Sequence, residues 1–195
     1  MKYLQLIKER YKDKLGFTKK DLSLLLKEKE ISNEYLQKLI HNLLKKKEII
    51  RITKGKYTFA DDIMVSGFSY SPFYYGLQEA LSFRNLWEQE TNPVIITVKK
   101  IRPGLKPSFD GGNIVLHRID RKYFFGFDFI DYYNIQIPVS DIEKTLIDFV
   151  YYKEESSLLP EVIKEIKEKI NKKKLNEYLK VYPLHLQKKV LSLLT

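Results

Sequence analysis

Asp110, followed ten residues on by Asp120-Arg121-Lys122, makes the best case for catalytic chemistry in this sequence. A carboxylate, a strand and then Asp-x-Lys can hold Mg²⁺ through the two acids while the lysine helps activate a water. Plainer roles exist for the same residues. Asp110-Gly111 is a turn dipeptide, and residues 120–122 form a charged connection between two strands. The plainer reading is preferred, so no catalytic residue, metal or cofactor is expected. His41, His117 and His185 fall in separate elements without metal spacing, and there is neither a phosphate loop nor a Gly-x-Ser-x-Gly elbow. With no cysteine among 195 residues, disulfides, thiolate zinc sites and cysteine nucleophiles are excluded.

Binding chemistry is better represented. The chain carries 35 Lys+Arg and 25 Asp+Glu, a net charge of +10, and the excess is uneven. Residues 1–60 are net +9, residues 61–150 net −3 and residues 151–195 net +4. A concentrated positive head attracts polyanions. Within it, Asn33, Gln37, Lys38, His41 and Asn42 recur on one side of a helical pattern. Side chains of these types can exchange hydrogen bonds with base edges in a major groove. Lys45, Arg51, Lys54 and Lys56 follow, and cations of this kind hold phosphates.

Three helices must position them. The first is read over residues 2–13, ended by Gly16. The second is capped by Thr18 with Asp21 three residues on, the third by Ser32. Leu36, Leu39, Ile40, Leu43 and Leu44 give the third helix an i, i+3, i+4, i+7, i+8 apolar stripe opposite its polar face. Two β-type runs, 48–53 and 56–60, are joined by the tight-turn pair Lys54-Gly55. Three helices and a basic-tipped hairpin are the order of a winged helix-turn-helix, whose third helix enters the major groove.

The remainder reads as an α+β unit. Asp61-Asp62 and residues 66–72 suggest a linker, and Ser71-Pro72 suggests the start of a helix over 73–87. Strands are expected at 94–99, 114–119, 123–129 and 135–138, forming a small, mostly antiparallel sheet. Ser140-Asp141-Ile142-Glu143 reads as a capping box that opens a helix to about Tyr152, and further helices fill 160–195 with breaks near Asn171 and Pro183. The run Tyr123-Phe124-Phe125-Gly126-Phe127 could stack bases, but a buried strand is the commoner use of such a sequence. Arg84 and Trp87 are expected to pack at a domain junction. The domain expectation is therefore a DNA-binding winged helix over 1–62 and an α+β regulatory domain over 63–195.

Four places together resemble the AbiEi-type antitoxins of abortive-infection, or type IV toxin–antitoxin, systems. They are the winged-helix end Lys54-Gly55-Lys56-Tyr57-Thr58-Phe59-Ala60, the string Tyr74-Tyr75-Gly76-Leu77-Gln78-Glu79-Ala80-Leu81, the string Ile137-Pro138-Val139-Ser140-Asp141-Ile142-Glu143-Lys144-Thr145-Leu146-Ile147-Asp148, and the helical run 175–194. The resemblance implies a transcriptional regulator of viral defence that binds double-stranded DNA at its own promoter and neutralises a nucleotidyltransferase-like toxin. The chain is short beside the bitopic members of that family, so a stand-alone regulator is the other form. Glu143, Lys144 and Asp148 admit two roles: stabilising their own helix through its dipole and an i, i+4 pair, or forming a polar partner surface. A homodimer is a further expectation. A winged-helix module that binds protein alone, a Mg²⁺-dependent nuclease and a single-strand binder are the competing readings. No apolar run approaches a membrane span, and the charged opening MKYLQLIKERYKDK lacks the apolar core of an export signal. Cytoplasmic location without membrane contact is therefore expected.

Overall fold

A computed structural model describes residues 3–195. The chain begins with α1 (Leu4–Tyr11), β1 (Phe17–Thr18), α2 (Lys19–Leu25), α3 (Asn33–Lys45), β2 (Ile50–Thr53) and β3 (Lys56–Thr58). The start expected for the first helix at Lys2 lies outside the described residues. The anticipated caps are present. Thr18 and Asp21 exchange hydrogen bonds in a capping box at α2, and the Ser32 hydroxyl accepts from the Tyr35 N–H at α3. Leu36, Leu39, Ile40 and Leu43 of α3 are buried against Ile7, Phe17, Leu22 and Leu26. β1 is too short to show periodicity in the sequence. It pairs with β3 and completes a three-stranded antiparallel sheet in the order β1-β3-β2.

Residues 66–70, expected as part of a linker, instead belong to a packed 3-10 helix, Ile63–Tyr70. Asp62 caps it, accepting from the Met64 N–H at 2.8 Å, and Met64, Val65, Ser66 and Gly67 are buried. Its mean apolarity explains the difference: Ile63, Met64, Val65 and Phe68 outweigh the Ser and Gly between them.

Next come β4 (Phe73–Tyr75), α4 (Leu77–Ser82), β5 (Val94–Thr97), β6 (Gly104–Pro107), β7 (Asn113–Arg118), β8 (Phe127–Tyr132) and β9 (Ile135–Ser140). The helix expected over 73–87 is thus mostly replaced. Three consecutive aromatics favour a strand, and Gly76 separates them from a helix of only six residues. β4 is a central strand buried on both faces. Tyr74 points into one core cluster, Phe73 and Tyr75 into another.

The sheet has the order β6-β7-β5-β4-β9-β8 and is mixed, with three antiparallel pairs and two parallel ones. β4–β9 and β5–β7 are the parallel pairs. One face is covered by α5 (Ile142–Tyr151), α6 (Pro160–Lys169), α7 (Lys172–Leu179) and α8 (Leu184–Ser192), and the other by the Ile63–Tyr70 helix. Asn171 caps α7 and Pro183 precedes α8, at the two breaks anticipated. Tyr123 begins no strand; it closes a 3-10 turn, and strand β8 starts at Phe127. Among the described residues no helix is long and apolar enough to cross a membrane.

Candidate nucleic-acid interface

The Ser32 cap and the leucine stripe fix how α3 is rotated. With its apolar side inward, Asn33, Gln37, Lys38, His41, Asn42 and Lys45 are all exposed. Gln37, Lys38, His41, Asn42 and Lys45 fall on one side of the helix and can meet a surface together, whereas Asn33, in the first turn, is rotated toward the side of the leucine stripe. The hairpin turn lies near the start of this helix. The Lys19 N–H donates to the Gly55 carbonyl at 3.2 Å, placing the turn against the first residue of α2. Glu34, in the first turn of α3, is held below the usual carboxylate range by its own backbone N–H and the Ser32 hydroxyl, with the Lys19 charge adding to both. Lys19 therefore links the turn to the start of α3. Sequence reading passed over it because helix capping already accounted for that segment.

Gly55 sits at φ +79°, a conformation that lets the turn between β2 and β3 close tightly, and a Cβ there would meet nothing. Arg51 and Lys54 are exposed, as a phosphate contact requires. Lys56 is placed differently. Its ammonium donates to the carbonyls of Phe68 at 2.7 Å and Ser69 at 3.1 Å, and lies over the Phe68 ring. Burial pushes it down to about 8, and the nearby Lys99 ammonium adds to the effect. The expected phosphate lysine instead joins the hairpin to the C-terminal end of the 3-10 helix, where the Phe68 carbonyl also accepts from the Ser71 N–H and hydroxyl.

Glu143, Lys144 and Asp148 are likewise not on a surface; at most 5% of each residue is accessible. The cap of α5 is Asp141, one residue later than expected, accepting from the Lys144 N–H at 2.7 Å. Ser140 instead shares a hydrogen bond with Thr145. Glu143 does not reach back to Ser140. It accepts from the Asn171 N–H at 2.7 Å, at the start of α7. Asp141 also accepts from the Tyr178 hydroxyl at 2.8 Å and pairs with Lys174 at 3.0 Å. Despite partial burial, Lys174 is held up at about 12 by Asp141, with Glu143 contributing. The motif thus clamps α7 to α5 instead of presenting a partner surface.

Asp110 and Asp120 flank β7 at opposite ends. Six strand residues separate them, about 20 Å of extended chain. They are not brought into one metal site, and Asp120-Arg121-Lys122 opens a 3-10 turn. Among the described residues no group of three His, Asp or Glu side chains is arranged to hold a metal. The aromatic run is structural: Tyr123 stacks on Tyr182 at 4.3 Å, and Phe127 on Tyr74 at 5.2 Å. Arg84 donates to the Ser140 carbonyl at 2.7 Å, while Trp87 is buried with α6 in the same core cluster. A cleft of about 570 Å³ opens between Glu79, Phe83, Tyr132 and the Asn92-Pro93 turn. Burial pushes Glu79 up to about 7 there, and the Asp62 carboxylate adds to it.

No protein-family model and no curated protein sequence matches the chain. Among solved structures it is similar to the crystal structure of the RV2827C protein from Mycobacterium tuberculosis. The TM-score is 0.61 at 14% identity, over 92% of this chain and 71% of that one. That likeness establishes a shared α+β fold across nearly the whole chain.

Proposed function

We propose that this protein is a sequence-specific, double-stranded DNA-binding transcriptional regulator. In this reading residues 1–62 act as a winged helix-turn-helix. α3 enters the major groove, Asn33, Gln37, Lys38, His41 and Asn42 read bases, and Lys45, Arg51 and Lys54 hold phosphates. The observation that carries it is the exposed polar face of α3 beside a basic hairpin turn, within residues 1–60, whose net charge is +9. The α+β remainder would serve regulation, by self-association into a homodimer or by binding a nucleotidyltransferase-like toxin, as the resemblance to AbiEi-type antitoxins implies.

The test is a titration of the protein's own upstream DNA against a scrambled duplex, at two salt concentrations and with Mg²⁺ present. Preferential, salt-sensitive binding without cleavage is expected. Equal or absent binding would return the head to a nonspecific or protein-facing role, and cleavage would favour a nuclease.

A further inference from the structure

We propose that residues 98–106 form a second phosphate-binding surface, one that extends the hairpin turn Lys54-Gly55 along the same duplex; this rests on the DNA-binding reading above. Residues 49–60 and 91–109 are both basic and free of acid. Residues 49–60 contain Arg51, Lys54 and Lys56 with no carboxylate. Residues 91–109 contain Lys99, Lys100, Arg102 and Lys106 with no carboxylate, although the region around them is net negative.

The fold sets these stretches side by side, and two separate contacts show it. Lys56 and Lys99 both donate to the Ser69 carbonyl, each at 3.1 Å. A cleft of about 230 Å³ is also lined by Ile52 and Thr53 of β2, by Pro107 and Ser108 at the end of β6, and by Ser69. The hairpin therefore lies along the edge of the large sheet.

Two ammonium groups meeting at one carbonyl, with no carboxylate to neutralise them, leave the junction positively charged. The outward side chains add to that charge. Lys54, Lys100 and Arg102 are exposed, and none forms an ion pair among the described residues. β6 is an edge strand of the large sheet and pairs only with β7.

A row of separated cations suits a polyanion of regular spacing better than a single anion. Fully extended, residues 100–106 would span at most about 20 Å, so no more than about six base pairs at 3.4 Å each can lie beside them. A duplex suits it better than an acidic peptide, because the neighbouring hairpin turn also meets Lys19, whose charge acts on Glu34 in the first turn of α3.

The test is the salt dependence of binding to the protein's upstream duplex, for wild type and for the double variant Lys100→Ala/Arg102→Ala. Both positions are exposed, so the melting temperature should not change. The variant is expected to lower the slope of log K against log salt by about two. Wild type and variant should become alike on a duplex shortened by about six base pairs on that side. An unchanged slope, with wild type still binding, overturns this surface and leaves the DNA reading standing. Absence of salt-sensitive duplex binding by wild type overturns both.

Discussion

Lys144 and Asp148 form an ion pair one helical turn apart on α5, and neither side chain is exposed to solvent. The Tyr74 hydroxyl donates to the second carboxylate oxygen of Asp148 at 2.8 Å, and the Lys144 ammonium lies 5.4 Å from the Tyr74 ring centre. Burial pushes Lys144 down and Asp148 up, against the attraction between them. Taking one partner away strands the other charge in the core. Asp148→Ala should therefore cost about 3–5 kcal/mol, and Lys144→Met/Asp148→Leu together should cost less than that single change. Urea denaturation of both variants checks the order.

The backbone beside this pair is equally constrained. Gly126 has φ +73°, and a Cβ built there would lie 2.8 Å from the Lys144 Cβ. Its carbonyl also accepts from the Asp141 N–H at 2.9 Å. Gly126→Ala should destabilise by more than ~1 kcal/mol. Gly55→Ala meets no neighbour and carries only the strain of its positive φ. Thermal melts of the two variants should place Gly126→Ala lower.

Glu79 predicts a pH effect. Its carboxyl is raised to about 7 by burial and by Asp62, so the folded chain holds a proton that the unfolded chain releases near the usual value of 4.5. Fewer protons are bound on unfolding across that window, so this group's contribution to stability falls as pH rises from 4.5 towards 7. Glu79→Gln should be more stable than wild type at pH 8, by on the order of 1–2 kcal/mol. The advantage should vanish near pH 4. Melting curves at the two pH values decide it.

On DNA, the two kinds of residue should behave differently. Gln37→Ala should cost about 1–3 kcal/mol on the cognate site and relax discrimination at one base pair. Lys54→Ala should weaken all sequences and flatten the salt slope by about one. Lys56→Ala should leave that slope nearly unchanged and lower the melting temperature, because its ammonium is bonded to Phe68 and Ser69. Anisotropy titrations over a range of salt separate the three outcomes.

Periodic and capped elements were legible in the sequence. The leucine stripe and Ser32 located α3, and Thr18 with Asp21 located α2, because those signals are local. The central strand Phe73–Tyr75 was not legible. Its partners, Ile95 and Val139, are distant in sequence, and a strand buried on both faces has no alternation to show. Parallel pairing was missed for the same reason. Among candidate site residues, the exposure of those on α3 could be read from helical spacing alone. Lys56 could not, since its partners lie 12 and 13 residues further along the chain. Glu143 and Lys144 admitted both a structural and a partner-surface role, because nothing in the local sequence announces that the start of α7 binds Glu143 or that Lys144 is buried.

Leu15, Ile52 and Ala60 pack into the core on the sheet side, and Lys56 fastens the hairpin to the same place. A reading head on a free tether can adjust to extra base pairs between two half-sites. A head built into the main core cannot. For two copies on one operator, the separation of the half-sites would follow from the shape of the joined bodies. Adding half a helical turn of DNA, about five base pairs, should then abolish paired binding, while adding a full turn preserves the shared face of the duplex.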